Sequence, residues 1–307
     1  MDFQRHTSKD VSGYNKMIHD MRWNREGNYI GMVSADKTVK VGQLDKSGSF
    51  QNVHSIPNSG LVSQIGWNPL DDSRIGMCGD DKSVELWDVR GRCCSSAKLS
   101  SLGNNISFAW SPCGNYIAVG NKSDTVSVLD LRRNALFKRK KFSYEVNDLV
   151  WTANSSFLLA ATGNDGVGSL DVLSLTDADA PADAPSTTGV NELQVAGTVA
   201  AHVSNCVALR VDSGMRRLAV GGLDHCVSFW ELDDLVCQHT VAVEGEVRSM
   251  SFSGDGRYLA VTAEDPTITI CDTESGEAVA RVVGRQRLNA VAWHPKQALL
   301  CVATEDR

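Results

Sequence analysis

The sequence predicts an all-β, seven-bladed propeller, and two recurrences carry that prediction. Turn aspartates recur at Asp36, Asp81, Asp124, Asp165, Asp224, Asp265 and Asp306, with steps of 45, 43, 41, 59, 41 and 41 residues. A large apolar residue leads each unit, at Trp23, Trp67, Trp110, Trp151, Val211, Phe252 and Trp293. A unit of about 40–45 residues made of short strands and turns has the period of a propeller blade. One unit cannot bury its own faces, so the units must stack around a common axis. The repeat covers nearly all of the 307 residues, which implies one domain over residues 1–307.

Each unit divides into strands by alternation of apolar and polar residues. In the third, Ile106 to Trp110 reads as an inner strand and Tyr116 to Gly120 as a second strand. Thr125 to Asp130 reads as a third. The sixth repeats this with Arg248 to Phe252, Tyr258 to Thr262 and Thr267 to Asp272. The Ser111-Pro112-Cys113-Gly114 and Gly254-Asp255-Gly256 segments between them hold the glycines that positive-φ turn positions need. Two residues before the leading position stand Met21, Ile65, Phe108, Leu149, Leu209, Met250 and Val291. All are apolar, as packing between neighbouring blades requires. Four before it stand His19, Ser63, Ile106, Asn147, Val207, Arg248 and Asn289. The five polar ones, His19, Ser63, Asn147, Arg248 and Asn289, are the candidate partner-binding residues at a channel mouth; lining a wet channel is the alternative.

Two irregularities interrupt the period. The 59-residue step is 18 longer than the commonest one, and the excess falls in an Ala/Asp/Pro tract near residues 176–192. Such a tract cannot build a core and is expected to be a disordered insertion. The seventh unit has an inner strand, Leu288 to Trp293, and a second, Leu299 to Ala303, and then reaches Arg307. Its third strand is missing, so Phe3 to Thr7, expected to supply an outer strand, would have no neighbour there. A shortened chain, an open blade and completion by another chain all fit. An unpaired edge is a liability, which favours the first.

Bulk properties narrow the function. The net charge of −7 argues against a chain whose main task is gripping phosphate backbones. No stretch reaches the ~20 apolar residues of a membrane helix, and the N-terminus lacks a secretory signal. Nine cysteines without a CxxC pair suit a reducing compartment, with Cys93 and Cys94 read as turn thiols. The glycines of Gly163 to Gly168 fall in the fourth repeated turn, so they are structural. The seven aspartates lie one per blade around a ring, too far apart for paired-carboxylate catalysis or a metal site. His202, Cys206, His225 and Cys226 make a poor zinc set, since adjacent His225 and Cys226 point opposite ways on a strand. No cofactor and no catalytic set is expected.

The basic run Arg132, Arg133, Lys138, Arg139, Lys140 and Lys141 packs six cations into ten residues at the outer edge of the third unit. Three roles fit it: a charged edge strand that blocks aggregation, a nuclear-import signal, or a contact to RNA phosphates.

Trp87-Asp88 closes the second unit, with Trp230-Glu231 and Cys271-Asp272 as variants, and the fifth unit combines His202, Asp224 and Trp230. This combination resembles the Asp–His–Trp part of the hydrogen-bonded network in WD-repeat propellers, degenerate in the other units. The runs from Trp110 to Asp124, Tyr144 to Asp148 and Ala201 to Cys237, with Val247 to Ser253 and Val291 to Lys296, are similar to the THO subunit-three family, the Tex-one type. The resemblance implies a nuclear, non-enzymatic WD-repeat scaffold in messenger-RNA packaging and export, docked on a large helical THO subunit. It departs at the insertion and at the seventh unit. Direct RNA binding through residues 132–141, or an adaptor role in another nuclear assembly, are the alternatives.

Overall fold

The computed structural model describes residue 8 and residues 16–44, 50–58, 60–90, 96–100, 103–175 and 191–305. Every regular element among them is a strand. Blade one contains β1 (Ile18–Trp23), β2 (Tyr29–Ser34), β3 (Thr38–Leu44) and β4 (Phe50–Pro57). Blade two contains β5 (Val62–Trp67), β6 (Arg74–Gly79), β7 (Ser83–Asp88) and β8 (Ser96–Ser100). Blade three contains β9 (Asn105–Trp110), β10 (Tyr116–Asn121), β11 (Thr125–Asp130) and β12 (Ala135–Lys141). Blade four is β13 (Glu145–Trp151), β14 (Phe157–Asn164), β15 (Val167–Ser174) and, after the short β16 (Asn191–Glu192), β17 (Gln194–His202). Blade five holds β18 (Cys206–Val211), β19 (Arg217–Gly222), β20 (Cys226–Glu231) and β21 (Val236–Ala242). Blade six holds β22 (Val247–Phe252), β23 (Tyr258–Ala263), β24 (Thr267–Asp272) and β25 (Glu277–Val283). β26 (Leu288–Trp293) and β27 (Leu300–Thr304) form a last sheet of two strands.

Within each blade the strands pair antiparallel in chain order. The inner strands β1, β5, β9, β13, β18, β22 and β26 pack side by side, and β26 returns to β1, so the ring is closed. Among the described residues the blades number six, not the seven predicted, because the seventh repeat there forms only the two-stranded sheet of β26 and β27. Asp306 and Phe3 to Thr7, invoked for that last unit, lie outside the described residues, as do Cys93, Cys94 and residues 176–190.

The seven apolar residues two before each leading position are all buried. Several of them fit because the preceding blade presents glycine where they land. The Phe108 ring lies over Gly66 and Gly76, Ile65 over Gly31, and Met250 beside Gly221. A Cβ at Gly76 would stand 2.5 Å from the Phe108 ring. Burying each such side chain is worth about 1.5–3 kcal/mol, so the inter-blade seams carry much of the fold's stability.

The outer fourth strands escape alternation because they are mostly exposed and mix polar and apolar residues irregularly, as in β21 and β25. The end of the predicted disordered insertion is ordered: Asn191 and Glu192 form β16, which runs parallel to β12. Leu193 anchors it, fully buried in a cluster with Leu175, Trp151 and Phe142. The Leu193 N–H also donates to the Arg139 carbonyl at 3.0 Å. Apolar burial of one leucine thus overrides the local polar composition.

Candidate partner-binding face

The inner strands all begin at one face of the ring, beside the turns that join second and third strands. Of the five residues proposed for its mouth, two are used inside the ring. His19 Nε2 donates to the Val62 carbonyl at 2.7 Å, and Asn147 Nδ2 donates to the Cys206 carbonyl at 2.9 Å. Both bonds cross from one blade to the next. Asn289 buries its amide nitrogen without a hydrogen-bond partner among the described residues, and Ser63 is half-buried. Arg248 is exposed, paired at 3.1 Å with the equally exposed Glu264. Of the five, Arg248 alone is exposed.

The residues three before the leading position do more than sequence reasoning assigned them. Asp20 Oδ2 accepts the Ile65 N–H at 3.1 Å, and Gln64 Oε1 accepts the Phe108 N–H at 2.8 Å. Asp148 Oδ2 accepts the Leu209 N–H at 3.0 Å, and Ser249 Oγ the Val291 N–H at 3.3 Å. Each acceptor caps a backbone donor of the next inner strand, and each bond is a seam between blades. A shared acceptor chemistry at this register (Asp, Gln, Asp, Ser) was the signal available in the sequence. Two of these carboxylates also meet arginines: Arg22 lies 3.5 Å from Asp20, and Arg210 lies 2.8 Å from Asp148. Burial pulls the Arg210 pKa down, and the charge of Arg22 adds to that, while Asp148 and Asp20 oppose it.

Blade five completes the network that its sequence suggested. His202 Nδ1 donates to both oxygens of Asp224 at 2.9 and 3.0 Å, and Nε2 accepts the Ser228 hydroxyl at 2.8 Å. Trp230 Nε1 donates to Ser228 Oγ at 2.7 Å. Ser228, which alternation alone did not mark, links the histidine to the tryptophan. Elsewhere the corresponding positions are improvised. In blade two Trp87 donates to Glu85 at 3.1 Å, and in blade four Asp171 accepts the Tyr144 and Thr198 hydroxyls at 2.7 and 2.5 Å. The turn aspartates differ in what they hold: Asp36 accepts the Thr38 N–H of its own blade, whereas Asp124 accepts the Val146 N–H of β13 in blade four. Asp124 and Asp165 themselves take positive φ, at 54° and 49°. Asp81 and Asp265 are half-buried in the equivalent turns, while Asp165 is exposed.

The basic run is largely neutralised. Arg132 binds Asp130 through Nε and Nη2 and reaches the Tyr116 hydroxyl at 2.8 Å; Arg133 lies 3.9 Å from the same Asp130. Lys138 is fully buried, its ammonium 5.7 Å from the Phe137 ring centroid. Lys140 pairs with Glu192 of β16 at 3.2 Å. Arg139 is half-buried and Lys141 exposed. β16 covers the strand edge that the cations were expected to guard. The Cys78, Cys206 and Cys271 thiols are pushed up to about 12 by burial, so they are inert core groups.

Comparison with known proteins identifies what this architecture resembles. A family model described as nucleolar protein 10-like, N-terminal domain, a β-propeller, matches residues 70–307. THO complex subunit 3 of Arabidopsis thaliana is 32% identical over 304 residues, covering 98% of this chain and 90% of that protein. WD repeat-containing protein AAC3 of Dictyostelium discoideum is 27% identical, covering 99% of this chain and 65% of its own length. Protein TEX1 of Saccharomyces cerevisiae is 21% identical, covering 88% of this chain and 61% of its own length.

Proposed function

The chain belongs to the WD-repeat β-propeller family of THO complex subunit 3, and from that premise we propose that it is a non-catalytic scaffold subunit of a nuclear THO-type assembly acting in messenger-RNA packaging and export. The extent of the likeness carries the reading: 32% identity runs through 98% of the chain and 90% of the relative, so no separate module accounts for it. The disposition of polar groups supports it. Carboxylates and arginines at the ring's centre bind neighbouring blades, and the buried cysteines are too basic to act as nucleophiles. Partners are other THO subunits, a large helical one among them.

The mouth face supports docking chiefly through its rim. Arg248 stands exposed there, and Val203 is 86% exposed next to the exposed Val167 of the paired strand. His19 and Asn147 tie neighbouring blades together beneath that rim. Purifying the tagged chain from nuclease-treated nuclear extract at physiological salt tests the assignment. Stoichiometric recovery of a large helical subunit with other THO subunits is the expected result. Partners that vanish with nuclease would instead favour RNA binding, and an unrelated nuclear complex would favour the adaptor reading. Charge reversal at Arg139 and Lys141, which reach the surface while Lys138 is buried, then separates the RNA reading, because loss of phosphate contacts flattens the salt dependence.

A further inference from the structure

On the opposite face, where first and second strands are joined, the seam between blades two and three opens into a cleft of about 360 Å³. Trp110, like Trp23 and Trp293, makes no indole hydrogen bond across its seam among the described residues, unlike two other leading tryptophans. Trp67 and Trp151 each donate the indole N–H to a carbonyl of the preceding blade, to Arg22 at 2.8 Å and Ala109 at 3.0 Å. Trp110 does not. Its indole N–H turns to Gly114 of its own turn at 3.4 Å, and its ring lies over Gly76 of blade two. The half-buried Trp110, Leu86 and Leu131 then line the gap instead of closing it. Leu70, 68% exposed, stands at the rim beside Gly114.

Two arginines flank this apolar floor. Arg74 comes from the start of β6 and Arg132 from the turn after β11, with side chains 56% and 57% exposed. Each is tethered by one aspartate, Asp71 at 3.3 Å and Asp130 at 3.0 Å, an arrangement that orients the guanidinium while it stays at the surface. Arg132 uses Nε and Nη2 for Asp130 and Tyr116, which leaves its Nη1 donors among the described residues. Arginine's planar fork suits a carboxylate.

We propose that this cleft binds an extended acidic peptide segment of a partner protein, seating an aliphatic or aromatic side chain on Trp110 and Leu131 and a neighbouring carboxylate against Arg74 and Arg132. A polyphosphate chain fits less well, because Asp71 and Asp130 would repel each phosphate beyond the first. The site is independent of the docking face proposed above.

The test labels the full chain with 5-fluorotryptophan and follows the seven tryptophan resonances by fluorine NMR, with Trp110→Phe, or Trp110→Tyr if that fails to fold, assigning the reporter. The probe is a pool of capped pentapeptides placing one Asp or Glu within three residues of Leu, Phe or Trp. The Trp110 resonance should shift with a Kd at or below about 1 mM while the other tryptophans stay put. Arg74→Ala, Arg132→Ala and the Asn/Gln version of the pool should each weaken the response about fivefold. An unmoved Trp110 resonance, an equal response to the amide pool, or a shift caused only by a uridylate octamer would overturn the proposal.

Discussion

Removing the carboxylate of Asp148 tests whether polar seams at the ring's centre, rather than apolar packing alone, hold the blades together. Asp148 is 4% exposed and makes three contacts: Leu149 N–H at 3.0 Å, Leu209 N–H at 3.0 Å and Arg210 at 2.8 Å. Asp148→Ala leaves two donors and one buried guanidinium without this acceptor. Breaking a buried pair costs about 3–5 kcal/mol, and the unpaired Leu209 donor is part of that sum rather than an addition to it. At about 2 °C per kcal/mol for a chain of this size, the melting temperature should fall by about 8 °C. Arg210→Met alone should cost about half as much, since Asp148 keeps both backbone donors. The double substitution should lie closer to the worse single than to the sum, with a coupling of about 2 kcal/mol. Calorimetry of the four proteins decides it. A drop below about 2 °C for Asp148→Ala, or strict additivity in the double, would refute the seam argument.

Three further outcomes follow from the same geometry. His294 Nδ1 accepts the Lys296 and Gln297 N–H groups at 3.0 Å while Nε2 donates to Gly27 at 3.0 Å, so the ring must be neutral. Burial lowers its pKa, the Gly27 bond opposing and Lys296 adding; a depressed histidine contributes stability above about pH 6.5 that is lost as pH falls towards the folded value. Melting temperatures from pH 7.5 to 5 should therefore decline below 6.5, and His294→Gln should flatten that decline. A Cβ at Gly168 would stand 2.2 Å from the Ser204 carbonyl, whereas one at Gly166 meets nothing within 4 Å but sits at φ +80°. Gly168→Ala should cost about 2–3 kcal/mol by overpacking and Gly166→Ala about 1 kcal/mol by strain, measured by urea titration. Native-state iodoacetamide labelling with peptide mapping should leave Cys78, Cys206 and Cys271 unmodified while the exposed Cys237 reacts.

The inner three strands of most blades were legible because their cues are local: a leading aromatic, an apolar residue two before it, and a turn aspartate at constant offset. The outer strands were not, because they face solvent and their residues answer to no repeating neighbour. β16 could not be read at all; two polar residues become a strand only because Leu193 finds a core built by blades three and four. The site fared unevenly for the same reason. Counting back four from each leading residue reaches the strand ends, while the blade-to-blade acceptors lie one residue further on. The position four before supplies His19 and Asn147 as internal ties, and the position three before carries the blade-to-blade acceptors. The His202–Asp224–Trp230 set was visible, but Ser228 looked like any strand serine until its hydroxyl was placed between the imidazole and the indole. The cation run showed its charge but not its partners, since Glu192 stands 52 residues from Lys140.

This distribution of polar groups bears on where partners can act. A hydrogen bond that closes a seam cannot also reach a ligand without opening the seam, and an orphaned buried donor costs about 1–3 kcal/mol. The ring's centre holds such bonds from Asp20, Gln64, Asp148 and Ser249, so a ligand entering the channel would have to replace several at once. Rims carry no such penalty. Arg248, Val203 and Val167 on one face, and Leu70, Arg74 and Arg132 on the other, are exposed, and none of them ties one inner strand to the next. Trp67 and Trp151 tie their seams through the indole N–H, whereas Trp110 does not, and its seam holds the cleft flanked by Arg74 and Arg132. Occupying both proposed docking rims at once would disturb none of the bonds that keep the ring shut.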